Sequence, residues 1–132
     1  MSSIDVAVAL ILNPKNEILI ARRQSHQHQG GLWEFPGGKR EHHEDGFTAL
    51  QREIEEEVGL QIQSAEPFQQ IAHDYGDKQV LLDIWLVSAY QGNAVGKEGQ
   101  QIKWADCASL NAATFPAANR DIIEALKRYL NQ

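Results

Sequence analysis

Glu53, Glu56 and Glu57 stand at i, i+3 and i+4 in the stretch from Gly37 to Leu60, GGKREHHEDGFTALQREIEEEVGL. On a helix that spacing puts three carboxylates on one face. Like charges so placed cost about 0.2–0.5 kcal/mol per pair. Two arrangements answer the repulsion. Water can screen a plain acidic face, or a hard divalent cation such as Mg²⁺ can gather the clustered oxygens. The carboxylates alone do not choose between them. Their surroundings favour the cation. Gly37 and Gly38 precede the helix, where bare backbone can approach a ligand closely. Glu44 and Arg52 add fixed charges of both signs.

A helix must hold these groups, and the sequence supplies one. Asp45 or Gly46 can begin it, and Gly59 can end it in a left-handed conformation. Phe47, Leu50, Ile54 and Val58 recur at helical spacing and form an apolar stripe. Glu55 falls outside both faces and reads as solvated.

The rest of the chain reads as strands with a second helix. Ile4 to Leu12 is a buried strand, Asn13 to Asn16 a turn, and Glu17 to Arg22 a returning strand, which predicts a hairpin. Arg22 and Arg23 either face solvent or meet a phosphate or base through their planar donor forks. Ser25 to Gly31 is a polar loop; His26 and His28 lack the further partners of a metal site. Leu32 to Phe35 is a short strand, and His42 and His43 are solvated loop residues. Leu60 to Ile62 and Phe68 to Tyr75 are separate strand candidates. Gln79 to Tyr90 is the longest, with both faces mostly buried and Asp83 interrupting one. Gln91 to Gly99 is a glycine-bearing loop, Gln101 to Ala105 a strand, and Asp106 to Ala118 irregular. Asn119 or Asp121 starts the last helix, with Ile122, Ile123, Leu126, Tyr129 and Leu130 at helical spacing. This order predicts an α/β/α sandwich around a mixed sheet, in one domain spanning residues 1–132.

Composition narrows the function. The chain has 132 residues and a net charge of −6, with 42% hydrophobic and 23% charged residues. That is the make-up of an ordinary globular domain. No basic tract suggests long nucleic acid, and no apolar run reaches the length of a membrane span. Cys107 is the sole cysteine, so no internal disulfide forms, which agrees with a reducing cytoplasm. A phosphorylated small molecule can still bind an acidic protein when cations screen the charge.

The stretch resembles the Nudix box. That pattern is Gly, five residues, Glu, seven residues, then Arg-Glu-U-x-Glu-Glu-x-Gly-U, with U a bulky aliphatic. Gly38, Glu44, Arg52, Glu53, Ile54, Glu56, Glu57, Gly59 and Leu60 occupy every specified place. The chain is therefore identified as resembling the Nudix hydrolases, which cleave nucleoside diphosphates linked to another group. Further segments resemble the MutT-type branch, which acts on oxidised guanine nucleotides. They are Arg22-Arg23, Glu34 to Lys39, Trp85 to Val87, Gly96 to Gln100 and Phe115 to Asn119. Lys78 stands where that branch leads one to expect Arg.

The resemblance implies the α/β/α Nudix fold and a cofactor, Mg²⁺, with Mn²⁺ as a substitute. It implies metal ligands at Gly37 (carbonyl), Glu53, Glu56, Glu57 and Glu98. Glu98, alone in its loop, would otherwise read as an ordinary exposed residue. Glu53 is the first candidate for general base and Glu98 the second. Glu44 and Arg52 orient the carboxylates, and Gly59 closes the helix. Arg23, Glu34, Phe35, Gly37, Gly38, Lys39, Lys78 and Asn119 belong to the substrate site, with Lys39 at a phosphate. The implied reaction is water attack on the β-phosphorus of 8-oxo-dGTP, giving the monophosphate and pyrophosphate. Asn119 by itself reads more readily as a helix cap. Under the resemblance its amide offers an acceptor beside a donor, matching an oxidised guanine edge whose N-7 has become a donor. The rival readings are a Nudix hydrolase for ADP-ribose or a dinucleoside polyphosphate, and a non-catalytic nucleotide sensor. A monomer acting on a small nucleotide, without a membrane or long nucleic acid, is the expected setting.

Overall fold

The computed structural model describes residues 2–26, 30–74 and 76–131. Strand β1 (Ser2–Ile11) buries Ala7, Ala9 and Ile11 on one face and Val8 and Leu10 on the other. A run that is apolar on both faces belongs inside a sheet. There it pairs antiparallel with β4 (Gly37–Lys39) and parallel with β6 (Lys78–Gln91). Strand β5 (Gln61–Asp74) completes a mixed four-stranded sheet in the order β4-β1-β6-β5. A second sheet joins β3 (Trp33–Glu34), β2 (Glu17–Arg22) and β7 (Ile102–Asp106), antiparallel throughout.

Helix α1 (Gly46–Val58) lies on one side of these strands and α2 (Arg120–Leu130) on the other. The Asp45 side chain accepts from Thr48 N–H at 2.8 Å and starts α1; Gly59, at φ 75°, ends it. Leu50, Ile54 and Val58 are fully buried against Ala7, Ala9 and Leu19. Each such side chain contributes about 1.5–3 kcal/mol. On the opposite face Ile122, Ile123 and Leu126 pack with Val8, Leu10, Ile18, Ile20 and Ile84. The result is the expected α/β/α sandwich with a mixed sheet.

Several local expectations are corrected. The predicted hairpin forms only at its turn: a bridge joins Leu12 to Ile18 and Asn13 N–H donates to the Glu17 carbonyl at 3.0 Å, but β1 and β2 then enter different sheets. At that turn the Asn13 side chain accepts from the N–H groups of Lys15 and Glu17. The two strand candidates after Gly59 are one strand, β5, whose register shifts at Ser64 and around Pro67 let it run on beside β6. The first half of β6 is only half-buried, and full burial begins at Ile84. There Asp83 accepts from Trp85 Nε1 at 3.1 Å, which accounts for a carboxylate on that face. His26, His42 and His43 are exposed; His28 and Tyr75 lie outside the described residues. Among the described residues no helix is long and apolar enough to cross a membrane.

Candidate active site

The carboxylates of α1 open toward β4, and two glycines set the approach. In β4, Gly37 faces Val8 and Gly38 faces Ala7 across the antiparallel pair. A Cβ on Gly37 would stand 2.1 Å from the Ala7 carbonyl oxygen, and one on Gly38 would stand 2.1 Å from Glu53 Oε2. Bare backbone is thus required at both positions, for the sheet at the first and for the Glu53 carboxylate at the second.

Arg52 is the hub beside them. Its Nε and Nη2 donate to the two Glu44 carboxylate oxygens at 2.6 and 2.8 Å. Its Nη1 donates to Glu53 Oε1 at 2.9 Å and Glu56 Oε2 at 3.4 Å, while Nη2 also reaches the Lys39 carbonyl. Glu44 accepts in addition from the Glu41 N–H. The Arg52 guanidinium and that N–H hold the Glu44 carboxyl down at about 2. Arg52 is in turn pushed above its ordinary value by the bond to Glu44.

Glu57 is the buried carboxylate of the set, at 8% exposure, and accepts from Gly37 N–H at 3.1 Å. Burial, then the charges of Glu34, Glu98 and Glu53, push it up to about 8. Glu53 and Glu34 are also raised by burial, against the pull of Arg52 and Arg23 respectively. Arg23 Nη1 donates to Glu34 Oε1 at 2.6 Å.

These groups line one cleft. Arg23, Glu34, Gly37, Gly38, Lys39, Glu53, Glu57 and Glu98 surround a cavity of about 290 Å³, together with Gln24 and Gln100. Phe35 and Asn119 line an adjoining cavity that shares Arg23, Glu34 and Gly37 with the first. Phe115 stacks on Phe35 at 5.3 Å between ring centres. Lys78 borders a third hollow with Arg23 and Lys39. Glu56 stays outside the cleft lining: it is exposed and leans on Arg52. Among the described residues no three acidic, imidazole or thiol side chains are drawn together as a ready-made cation cage. The donor set still fits a hard divalent cation. The charges of Glu34, Glu98 and Glu53 all raise the proton affinity of Glu57, and an oxygen-seeking cation removes that repulsion.

Asn119 occupies the N-cap position of α2 yet makes no side-chain capping bond. The residue lines the cavity beside Phe35, Arg23 and Glu34.

Gln24 and Gln100 carry no assigned role in the sequence, where Gln100 enters only as the end of the Gly96 to Gln100 segment. The Gln24 amide donates to the Glu98 carbonyl at 2.9 Å. The Gln100 amide donates to the Glu57 carbonyl, also at 2.9 Å. Neither carries a spacing signal; only adjacency to Arg23 and to Glu98 could have pointed to them.

Residues 7–125 match the NUDIX domain family. The chain is 41% identical over 128 residues to the 8-oxo-dGTP diphosphatase of Escherichia coli (strain K12), covering 97% of this chain and 99% of that one. It is 34% identical over 122 residues to a CTP pyrophosphohydrolase of the same organism, covering 92% of this chain and 88% of that one. A solved MutT structure, from work on Aliivibrio salmonicida and Vibrio cholerae, superposes with a TM-score of 0.86. Its identity is 36%, covering 97% of this chain and 99% of that chain.

Proposed function

The chain belongs to the Nudix family of hydrolases, and we propose that it converts 8-oxo-dGTP to 8-oxo-dGMP and pyrophosphate with Mg²⁺, Mn²⁺ substituting. This reading makes the protein a cytoplasmic sanitiser of the nucleotide pool, one domain over residues 1–132, working as a monomer. Nudix hydrolases in general need divalent cations, and the acidic cleft has hard-oxygen donors for one.

One observation carries the substrate reading. The Asn119 amide is not spent on capping α2, and the residue lines the cavity shared with Phe35 and Arg23. The oxidised edge of 8-oxo-guanine presents a donor at N-7 beside the acceptor at O-6, whereas guanine presents two acceptors. A carboxamide pairs with the first pattern and leaves a mismatched pair with the second. Polar sites built this way discriminate by roughly 10⁴-fold.

In the cleft, Glu53, Glu57, Glu98 and the Gly37 carbonyl would hold the cation, with Glu56 joining from outside the lining. When bound, it neutralises the triphosphate and stabilises charge building on phosphorus. The chain's own groups then divide the work. Lys39, Lys78 and Arg23 draw the phosphates in. Arg52 holds Glu53 Oε1, and Oε2 faces Gly38. Glu53 takes the proton of the attacking water, with Glu98 as the other candidate. The water oxygen bonds to the β-phosphorus, and the bond from that phosphorus to the α,β-bridging oxygen breaks. The bridging oxygen leaves on the nucleoside monophosphate.

The similarity to a CTP pyrophosphohydrolase makes CTP the comparison that decides. Turnover is measured with Mg²⁺ as pyrophosphate release from 8-oxo-dGTP, dGTP and CTP and as AMP release from ADP-ribose, with Glu53→Gln as control. Preference for 8-oxo-dGTP at low substrate, lost in the control, is the expected result. Preference for CTP or ADP-ribose overturns the substrate reading and leaves the box chemistry standing. Nucleotide binding without turnover makes the protein a sensor.

A further inference from the structure

The segment carrying Glu98 hangs on the end of α1. The Glu57 carbonyl accepts from Lys97 N–H at 3.1 Å, and the Val58 carbonyl accepts from Val95 N–H at 3.0 Å. These are carbonyls that the last turn of a helix leaves without partners inside it. Gly99 N–H closes the turn onto the Gly96 carbonyl, and a Cβ on Gly96 would stand 2.0 Å from the Gln100 carbonyl oxygen.

One side chain ties the two parts together. The Gln100 amide nitrogen donates to the Glu57 carbonyl at 2.9 Å, and its amide oxygen accepts from Glu98 N–H at 2.9 Å. Glu57 and Glu98 supply carboxylates to the same cleft from a rigid helix and an exposed loop. An exposed loop by itself would let the Glu98 carboxylate wander relative to Glu57. A carboxamide suits the link because it presents a donor and an acceptor on one planar group.

We propose that Gln100 is a positioning residue that fixes Glu98 against Glu57 and thereby sets the cation-binding geometry of the cleft. The inference rests on the reading above that both glutamates serve the cation. Groups that orient metal ligands typically matter about 10- to 100-fold in metal affinity or activity. Gln100→Met is close in length and removes both hydrogen bonds. Gln100→Asn keeps the amide but is one methylene short, and it serves if the Met variant fails to fold.

The experiment is Mn²⁺ titration followed by electron paramagnetic resonance, without substrate. It compares the wild type, Gln100→Met, Glu98→Gln and the double variant, with kcat and KM for 8-oxo-dGTP measured alongside. Gln100→Met is expected to weaken Mn²⁺ binding and lower kcat about 10-fold or more, with KM nearly unchanged. In the Glu98→Gln background it is expected to add little, because both changes act on one carboxylate. The Glu98 amide proton should also lose protection from exchange. Additive effects, or a Gln100→Met variant that binds Mn²⁺ as the wild type does while Glu98→Gln is impaired, would overturn the proposal. If Glu98→Gln itself leaves binding and kcat intact, the cation role of Glu98 fails, and this inference with it. A Tm shift with unchanged Mn²⁺ affinity makes Gln100 a loop brace only and overturns its positioning role.

Discussion

Arg52 grips Glu44 with two parallel hydrogen bonds, at 2.6 and 2.8 Å, and the Glu44 side chain is only 3% exposed. Such a two-point contact fixes the guanidinium plane as well as its position. Arg52 can therefore offer its remaining donors to Glu53, Glu56 and the Lys39 carbonyl in set directions.

That grip predicts a pH dependence of stability. Glu44 is held down at about 2, below its ordinary value of 4.5. The stability it contributes is therefore present above pH 4.5 and disappears as the pH falls toward 2. The urea midpoints of wild type and Glu44→Gln should differ most at pH 7 and converge toward pH 2. A gap of constant size would mean that the charge of Glu44 is immaterial.

The two glycines of β4 should fail in different ways. Gly37→Ala drives a methyl into the Ala7 carbonyl, which is sheet backbone and cannot move aside. It should cost about 1–3 kcal/mol of stability by urea titration. Gly38→Ala meets only the end of the Glu53 side chain. It should leave the urea midpoint near that of the wild type and lower kcat.

Chelation should expose the strain of the acidic cleft. Glu57 is buried and faces Glu34, Glu53 and Glu98. In EDTA at pH 7, Glu57→Gln should melt higher than the wild type, because folding no longer has to protonate a carboxyl that the cleft pushes up to about 8. Added Mg²⁺ should raise the wild-type Tm more than that of the variant. The variant gains metal-free stability and loses turnover, which calorimetry with a parallel pyrophosphate assay would show.

Asn119→Ala should separate recognition from folding. Losing a working N-cap commonly costs about 1 kcal/mol, but this side chain caps nothing. Its Tm should hardly move. KM for 8-oxo-dGTP should rise far more than KM for dGTP, measured on one preparation. Equal losses on both substrates would remove Asn119 from base recognition.

Helix α1 was legible because its signals are local: Asp45 before the first turn, the stripe through Leu50 and Ile54, and Gly59 after the last. Much of the cleft lining was legible for the same reason, since Gly37, Gly38, Lys39, Glu53 and Glu57 sit within one helix and its approach. What stayed hidden was long-range. Nothing near Asn13 says that the strands flanking it diverge into separate sheets, because their partners lie at Gly37–Lys39, Lys78–Gln91 and Ile102–Asp106. The bulged continuity of β5 across Pro67 depends on β6 holding the other edge. The bonding roles of Gln24 and Gln100 were hidden because a loop glutamine has no periodicity; only the folded chain shows which carbonyl it reaches.

The parallel pairing of β1 with β6 also orders events during synthesis. Ser2 faces Lys78 and Ile11 faces Val87, so the partners lie more than half the chain apart. Closing so long a loop makes native pairing slow relative to helix formation. On the ribosome the acidic helix emerges well before β6, and Glu98 and Asn119 emerge later still. A nascent chain stalled short of Glu98 would display clustered carboxylates without the cleft, and could release no pyrophosphate. Activity should switch on only as the last segments leave the exit tunnel, late in translation rather than in proportion to chain length.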